Sequence, residues 1–143
     1  MSQPNHEDVN LLLRLYELRR EEKMREARLW FVSKFKCKTF EEFQKLCPPG
    51  SDNNAHYRQF ASYWEMAASF VSMGVLNGDL FFANCREMLM CWLRLKPFIA
   101  ELRKAYGDAT YMANLEQVGD AYSDWLVKHG GPDALAGFIQ RVG

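Results

Sequence analysis

The sequence predicts an all-α protein, a helical bundle with a long N-terminal amphipathic helix, and three observations carry that prediction. No stretch alternates apolar and polar residues with the period of two that a half-buried strand needs. Apolar residues instead recur at three- and four-residue spacing. The runs that show this spacing are punctuated by Pro, Gly and Asn clusters that act as helix stops and caps. The 143 residues suit one domain, read as 1–143, and 48% hydrophobic with 14% aromatic content is enough to bury a core.

From His6 to Phe35 there is no Pro or Gly, and Ala, Leu, Glu, Arg, Lys and Met dominate. Val9, Leu13, Tyr16, Met24, Ala27 and Phe31 trace one stripe, interrupted by Arg20. Glu7 and Asp8 in the first turn and Lys34 in the last suit the helix dipole. Eight of the ten residues from Arg19 to Arg28 are charged, with Glu21 and Arg25 spaced to pair. A helix over 6–36 is about 45 Å long at 1.5 Å per residue. A compact chain of this size is only about 37 Å across. Such a rod is expected to overhang the body or to pack along a second copy.

Thr39 and Glu42 form a capping box for a connector helix over 39–47. Cys47-Pro48-Pro49-Gly50-Ser51-Asp52 then stops the chain. The bundle is expected over 53–142. Asn53 or Asn54 caps a helix that turns Tyr57, Phe60, Ala61, Trp64, Ala67, Ala68 and Val71 inward and ends at Gly74. Asn77 to Asp79 opens a helix apolar on most sides, from Leu80 to Leu95, fit for the centre of a bundle. Pro97 kinks it or starts another, closed by Gly107. Asp108 is expected to start a helix through Tyr111, Leu115, Val118, Tyr122, Trp125 and Leu126 to Gly130. A short helix follows Gly131-Pro132.

Composition narrows the function classes. Eighteen basic and eighteen acidic residues leave no net charge, which argues against a surface tuned throughout for nucleic acid or anionic membrane. Apolar runs are too short to span a bilayer, and no leader for export is recognisable. Cys37, Cys47, Cys85 and Cys91 lack metal spacing and read as buried thiols of a cytoplasmic protein. His6, His56 and His129 lie in separate segments, and only a zinc site from His56 and Cys47 is even conceivable. No Glu-x-x-His, nucleophile elbow or phosphate-binding glycine loop occurs. No cofactor or metal is expected. Glu116 and Asp120 share a helix face, where like charges ordinarily face solvent.

The residues from Tyr63 to Val118 follow a distinctive order: Trp64-Glu65, Gly74, Phe81-Phe82, Trp92, Lys96-Pro97-Phe98-Ile99, Arg103, Gly107, Tyr111 and Leu115-Glu116. Over about residues 60–118 this resembles the bacterial domain-of-unknown-function family 4760. The resemblance implies a helical fold and a bacterial origin, and supplies no substrate, cofactor or partner.

Three functional readings follow. The first is a non-catalytic module that self-associates as a two-fold dimer, with Leu12, Leu13, Tyr16, Met24, Trp30 and Phe31 buried at the interface or against the body. The second is a small-molecule-binding or catalytic protein whose polar pocket uses Glu65, Arg103 and Glu116. An internal ion pair that fixes helix register accounts for those three charges more simply, because buried charges are ordinarily paired. The third is nucleic-acid binding through Arg19, Arg20, Lys23, Arg25 and Arg28, since residues 14–38 carry nine basic against four acidic residues. The aromatic pair Phe81 and Phe82, where base-reading side chains would be needed, speaks against it.

Overall fold

The predicted rod is two helices. In the computed structural model, which describes residues 3–143, α1 (His6–Arg19) ends in a turn at Arg20 and Glu21, and α2 (Glu22–Lys34) leaves it in a new direction. The reason is rotational. At 100° per residue, Leu15 and Met24 would lie on opposite faces of a continuous helix. Both are buried, so the chain must turn between them. Glu21 makes the turn stable: its backbone is extended, and its carboxylate accepts from the N–H groups of Lys23 and Met24 at 3.0 and 3.3 Å. It therefore caps α2 and does not form the expected ion pair with Arg25.

This corrects the burial pattern of α1 as well. Its inner face is Asp8, Leu11, Leu12 and Leu15, whereas Val9, Leu13 and Tyr16 point outward. Two long-range hydrogen bonds hold the helix to the body. The Tyr63 hydroxyl donates to the Leu15 carbonyl at 2.5 Å, and the Asn77 N–H donates to the Asp8 carboxylate at 2.9 Å. With the rod folded onto its own protomer, helix length no longer argues for a second copy.

The connector helix α3 (Phe40–Leu46) has its capping box from Thr39 and Glu42. Helix α4 (Asp52–Ser72) is the axis of the fold, packed by α2 on one side and by α8 (Ala113–Gly130) on the other. Its cap is Ser51 rather than Asn53 or Asn54. Those two amides instead donate to the Leu46 and Cys47 carbonyls at 3.0 and 3.1 Å, closing the end of α3 across the Pro-Pro loop. Tyr57, Phe60, Ala61, Trp64, Ala67 and Ala68 are buried as the spacing requires. Phe31, Phe35, Phe43, Tyr57, Phe60 and Phe98 form one stacked and edge-on aromatic cluster.

The apolar run 80–95 is also divided, into α5 (Gly78–Asn84) and α6 (Arg86–Leu95), at Cys85. The Phe82 carbonyl, which a continuous helix would offer to the Arg86 N–H, accepts the Tyr122 hydroxyl. Pro97 sits in a 3-10 turn (Lys96–Phe98) that leads into α7 (Ile99–Tyr106), and Gly107 ends that helix at φ +64°. Residues 108–112 form a turn rather than the first turn of α8. The Asp108 carboxylate folds back onto the Thr110 N–H and hydroxyl, and Met112 has φ +56°. Helix α9 (Ala134–Val142) closes the chain against α6 and α8. Among the described residues there is no strand, and no helix is long and apolar enough to cross a membrane.

Candidate functional site

The start of α8 has no side-chain cap of its own, because Met112 carries no acceptor. Glu65, about two turns from the end of α4, supplies it. One carboxylate oxygen accepts from the Leu115 N–H at 2.7 Å and the other from the Asn114 amide at 2.8 Å. Asn114 in turn accepts from the Ser72 hydroxyl at 2.6 Å. A negative group at a helix N-terminus is favoured by the dipole and by the unsatisfied N–H groups. Arg103 and Glu116 form a separate pair at 2.7 Å, with Arg103 Nε donating to the Tyr111 carbonyl at 2.8 Å. The structure therefore joins Arg103 to Glu116 and leaves Glu65 outside that pair. Their groups are directed at neighbouring protein atoms, apart from a buried Arg103 Nη2 without a partner.

The most heavily committed charge is one the sequence reading missed. Arg94, 7% exposed, donates to the carbonyls of Phe31, Val32 and Phe35 at the end of α2 and, through two nitrogens, to Val142 at the end of α9. Four carbonyls at two helix ends thus receive one guanidinium, the Phe31 carbonyl also accepting from the Phe35 N–H at 3.1 Å. Burial pulls its pKa below the usual arginine value. The signal in the sequence was a single Arg in an otherwise apolar stretch, between Leu93 and Leu95.

Of the residues expected at an interface or against the body, Met24 and Phe31 lie against the body, at 3% and 0% exposure, and cannot meet a second copy. Trp30 is half-buried: its ring N–H donates to Asn53 at 2.8 Å and its face stacks on His56. Leu12 is half-buried against the core. Leu13 and Tyr16 remain open, at 53% and 47%, and Val9 joins them at 43%.

Beside them the structure assembles a second feature. A groove of about 290 Å³ runs between α1 and the body, walled by Leu12, Leu13, Leu15, Tyr63, Asn84 and Cys85, with Tyr16 and Arg19 at its edge. Tyr16 and Arg19 also border a cleft of about 260 Å³ at the α1–α2 turn, where Arg20, Arg25, Arg28 and Glu87 complete the wall. Arg28 pairs with Glu87. Arg19 and Arg20 lie over the Tyr16 ring at 5.3 and 5.6 Å, and Arg19 also covers Trp64. Four of the five basic residues proposed for nucleic acid therefore share one cleft, while Lys23 is not part of its wall.

The four cysteines are free and buried, and burial raises every thiol pKa, to about 12 at Cys47 and about 11 at Cys85. Burial likewise raises Tyr57 and Tyr111, whose hydroxyls meet at 2.5 Å. No group of three His, Cys, Asp or Glu side chains placed to hold a metal exists among the described residues.

No curated protein and no solved structure matches the chain. A family match does exist, and it covers residues 5–122. It takes in α1 to α3, which the pattern read from the sequence left outside, together with the groove, the arginine cleft, the Glu65 and Arg103 contacts and the α2 half of the Arg94 contacts, while Val142 lies beyond it. With that extent matched, the chain belongs to the family described as domain of unknown function DUF4760.

Proposed function

We propose that this protein is a non-catalytic interaction module that pairs with a second copy through the outer face of α1. The observation that supports this reading is the exposed stripe of Val9, Leu13 and Tyr16, at 43%, 53% and 47%. These positions are one and two turns apart and form a continuous apolar edge on a helix fixed at both ends. A two-fold axis near Leu13 would set Val9 of one copy against Tyr16 of the other. It would also bring the Glu7 end of each helix toward the Arg19–Arg20 end of its mate, with opposed dipoles. A cytoplasmic setting belongs to the same reading, supported by four thiols kept unpaired.

Light scattering across a concentration series tests this. The expected mass is about twice the 16.7 kDa of one chain, with Leu13→Glu returning a monomer of unchanged helicity. A wild-type monomer throughout the micromolar range would overturn the reading. The alternative of a small-molecule site at Glu65, Arg103 and Glu116 gains no support, because those groups are occupied with capping α8 and closing the 107–112 turn.

A further inference from the structure

The arginine cleft and the apolar groove are contiguous, sharing Tyr16 and Arg19. That continuity joins two opposite chemistries within a few side chains. One end is walled by leucines, the Tyr63 ring and the Cys85 thiol. The other holds four guanidinium groups against one carboxylate, Glu87, which is already taken by Arg28. No carboxylate pairs with Arg19, Arg20 or Arg25 among the described residues. Three arginines lining one cleft without a carboxylate partner give it a positive potential that an entering anion would meet favourably. Guanidinium forks also match the paired oxygens of a carboxylate or phosphate head.

We infer that groove and cleft form one binding site for a single-chain amphiphilic anion, a fatty carboxylate or an alkyl phosphate. The chain lies along Leu12, Leu15 and Tyr63, and the head meets Arg19, Arg20 and Arg25. A nucleic acid would use the cleft but leave the adjoining groove unfilled. Its backbone would also call for a charged track rather than a short concavity. The cavities are walled by one protomer but share Leu13 and Tyr16 with the α1 face proposed for pairing, so binding is read separately from mass, and amphiphile bound to a monomer supports the inference as well as amphiphile bound to a dimer.

Calorimetric titration of the full chain with decanoate and, separately, decyl phosphate tests the inference and distinguishes the two heads. One molecule per chain should bind. Inorganic phosphate, which lacks the chain, and 1-decanol, which lacks the charge, should each bind at least about tenfold more weakly. Arg20→Gln with Arg25→Gln alters two exposed side chains, of which only Arg20 makes a contact, over the exposed Tyr16 ring, and should weaken both amphiphiles by about tenfold or more with the denaturation midpoint little changed. Leu12→Phe, which narrows the groove, should weaken them while leaving the response to inorganic phosphate unchanged. The inference is overturned by no binding of either amphiphile, by decanol binding as well as decanoate, or by amphiphile binding indifferent to the arginine pair. It is equally overturned if a single-stranded oligonucleotide binds more tightly than both amphiphiles and competes for the same arginines.

Discussion

The carboxylate of Glu65, on α4, accepts a hydrogen bond from the backbone N–H of Leu115 at 2.7 Å, so one helix caps the next across fifty positions of sequence. Glu65→Ala removes that acceptor and strands a helix N-terminus in a half-buried setting. A loss of about 1–3 kcal/mol in urea denaturation is expected. Glu65→Gln, which keeps an acceptor oxygen but loses the charge, should lose less. Equal stability of Glu65→Ala and wild type would show that the cap is dispensable.

Arg94→Met tests the clamp on α2 and α9. The methionine fills much of the space but takes the donor from the carbonyls of Val32, Phe35 and Val142, and leaves Phe31 only the Phe35 N–H. The expected loss is at least about 3 kcal/mol, among the larger effects a single substitution has. Arg94→Lys, with one compact ammonium in place of the fork, should fall between.

Gly119 separates packing from helix propensity. A methyl group there would meet three Trp92 atoms at 2.4, 2.5 and 2.9 Å, at the root of the indole rather than a movable tip. Gly119→Ala should destabilise by about 1–3 kcal/mol despite alanine's better propensity. At Gly137 the nearest atom is 3.7 Å away, on the end of the Arg141 side chain. Gly137→Ala should therefore stabilise, by about 0.5–1 kcal/mol.

Alkaline pH should weaken the fold through these thiols. Burial raises Cys47 from an ordinary 9.0 to about 12 and Cys85 to about 11. Between those limits the unfolded chain has lost protons that the native protein keeps. The thiol contribution is thus complete below pH 9 and declines as pH rises, by about 1.4 kcal/mol per pH unit for each ionising thiol. Denaturation midpoints at pH 8, 9 and 10 check this, and Cys47→Ala should flatten the decline.

Helix identity was legible in the sequence because caps and spacing are local. Thr39, Gly74 and Gly107 act where their residue types say they should. The breaks at Arg20–Glu21 and Cys85 were not, because each depends on a distant partner or on a second buried face. Tyr122 takes the Phe82 carbonyl, and Leu15 and Met24 must both reach the core. The same applies to Asp108, which looks like a helix start until Glu65 is seen to cap α8 five residues later. Arg103 and Glu116 were legible as candidate charges, while Arg94 was hidden inside an apolar helix whose burial gave no hint of the carbonyls around it. The groove and cleft could not be read at all, since they exist only because the predicted rod is folded in half.

Pairing through α1 is tested most directly by mild oxidation of Leu13→Cys. The four native cysteines are buried, so the new thiol is the reactive one. If two copies meet with Leu13 near their shared axis, the variant should form a covalent dimer rapidly at low micromolar concentration. Leu29→Cys on α2, at a position 66% exposed, should stay monomeric under the same oxidant. Equal cross-linking of the two variants, or none at position 13, would contradict the account.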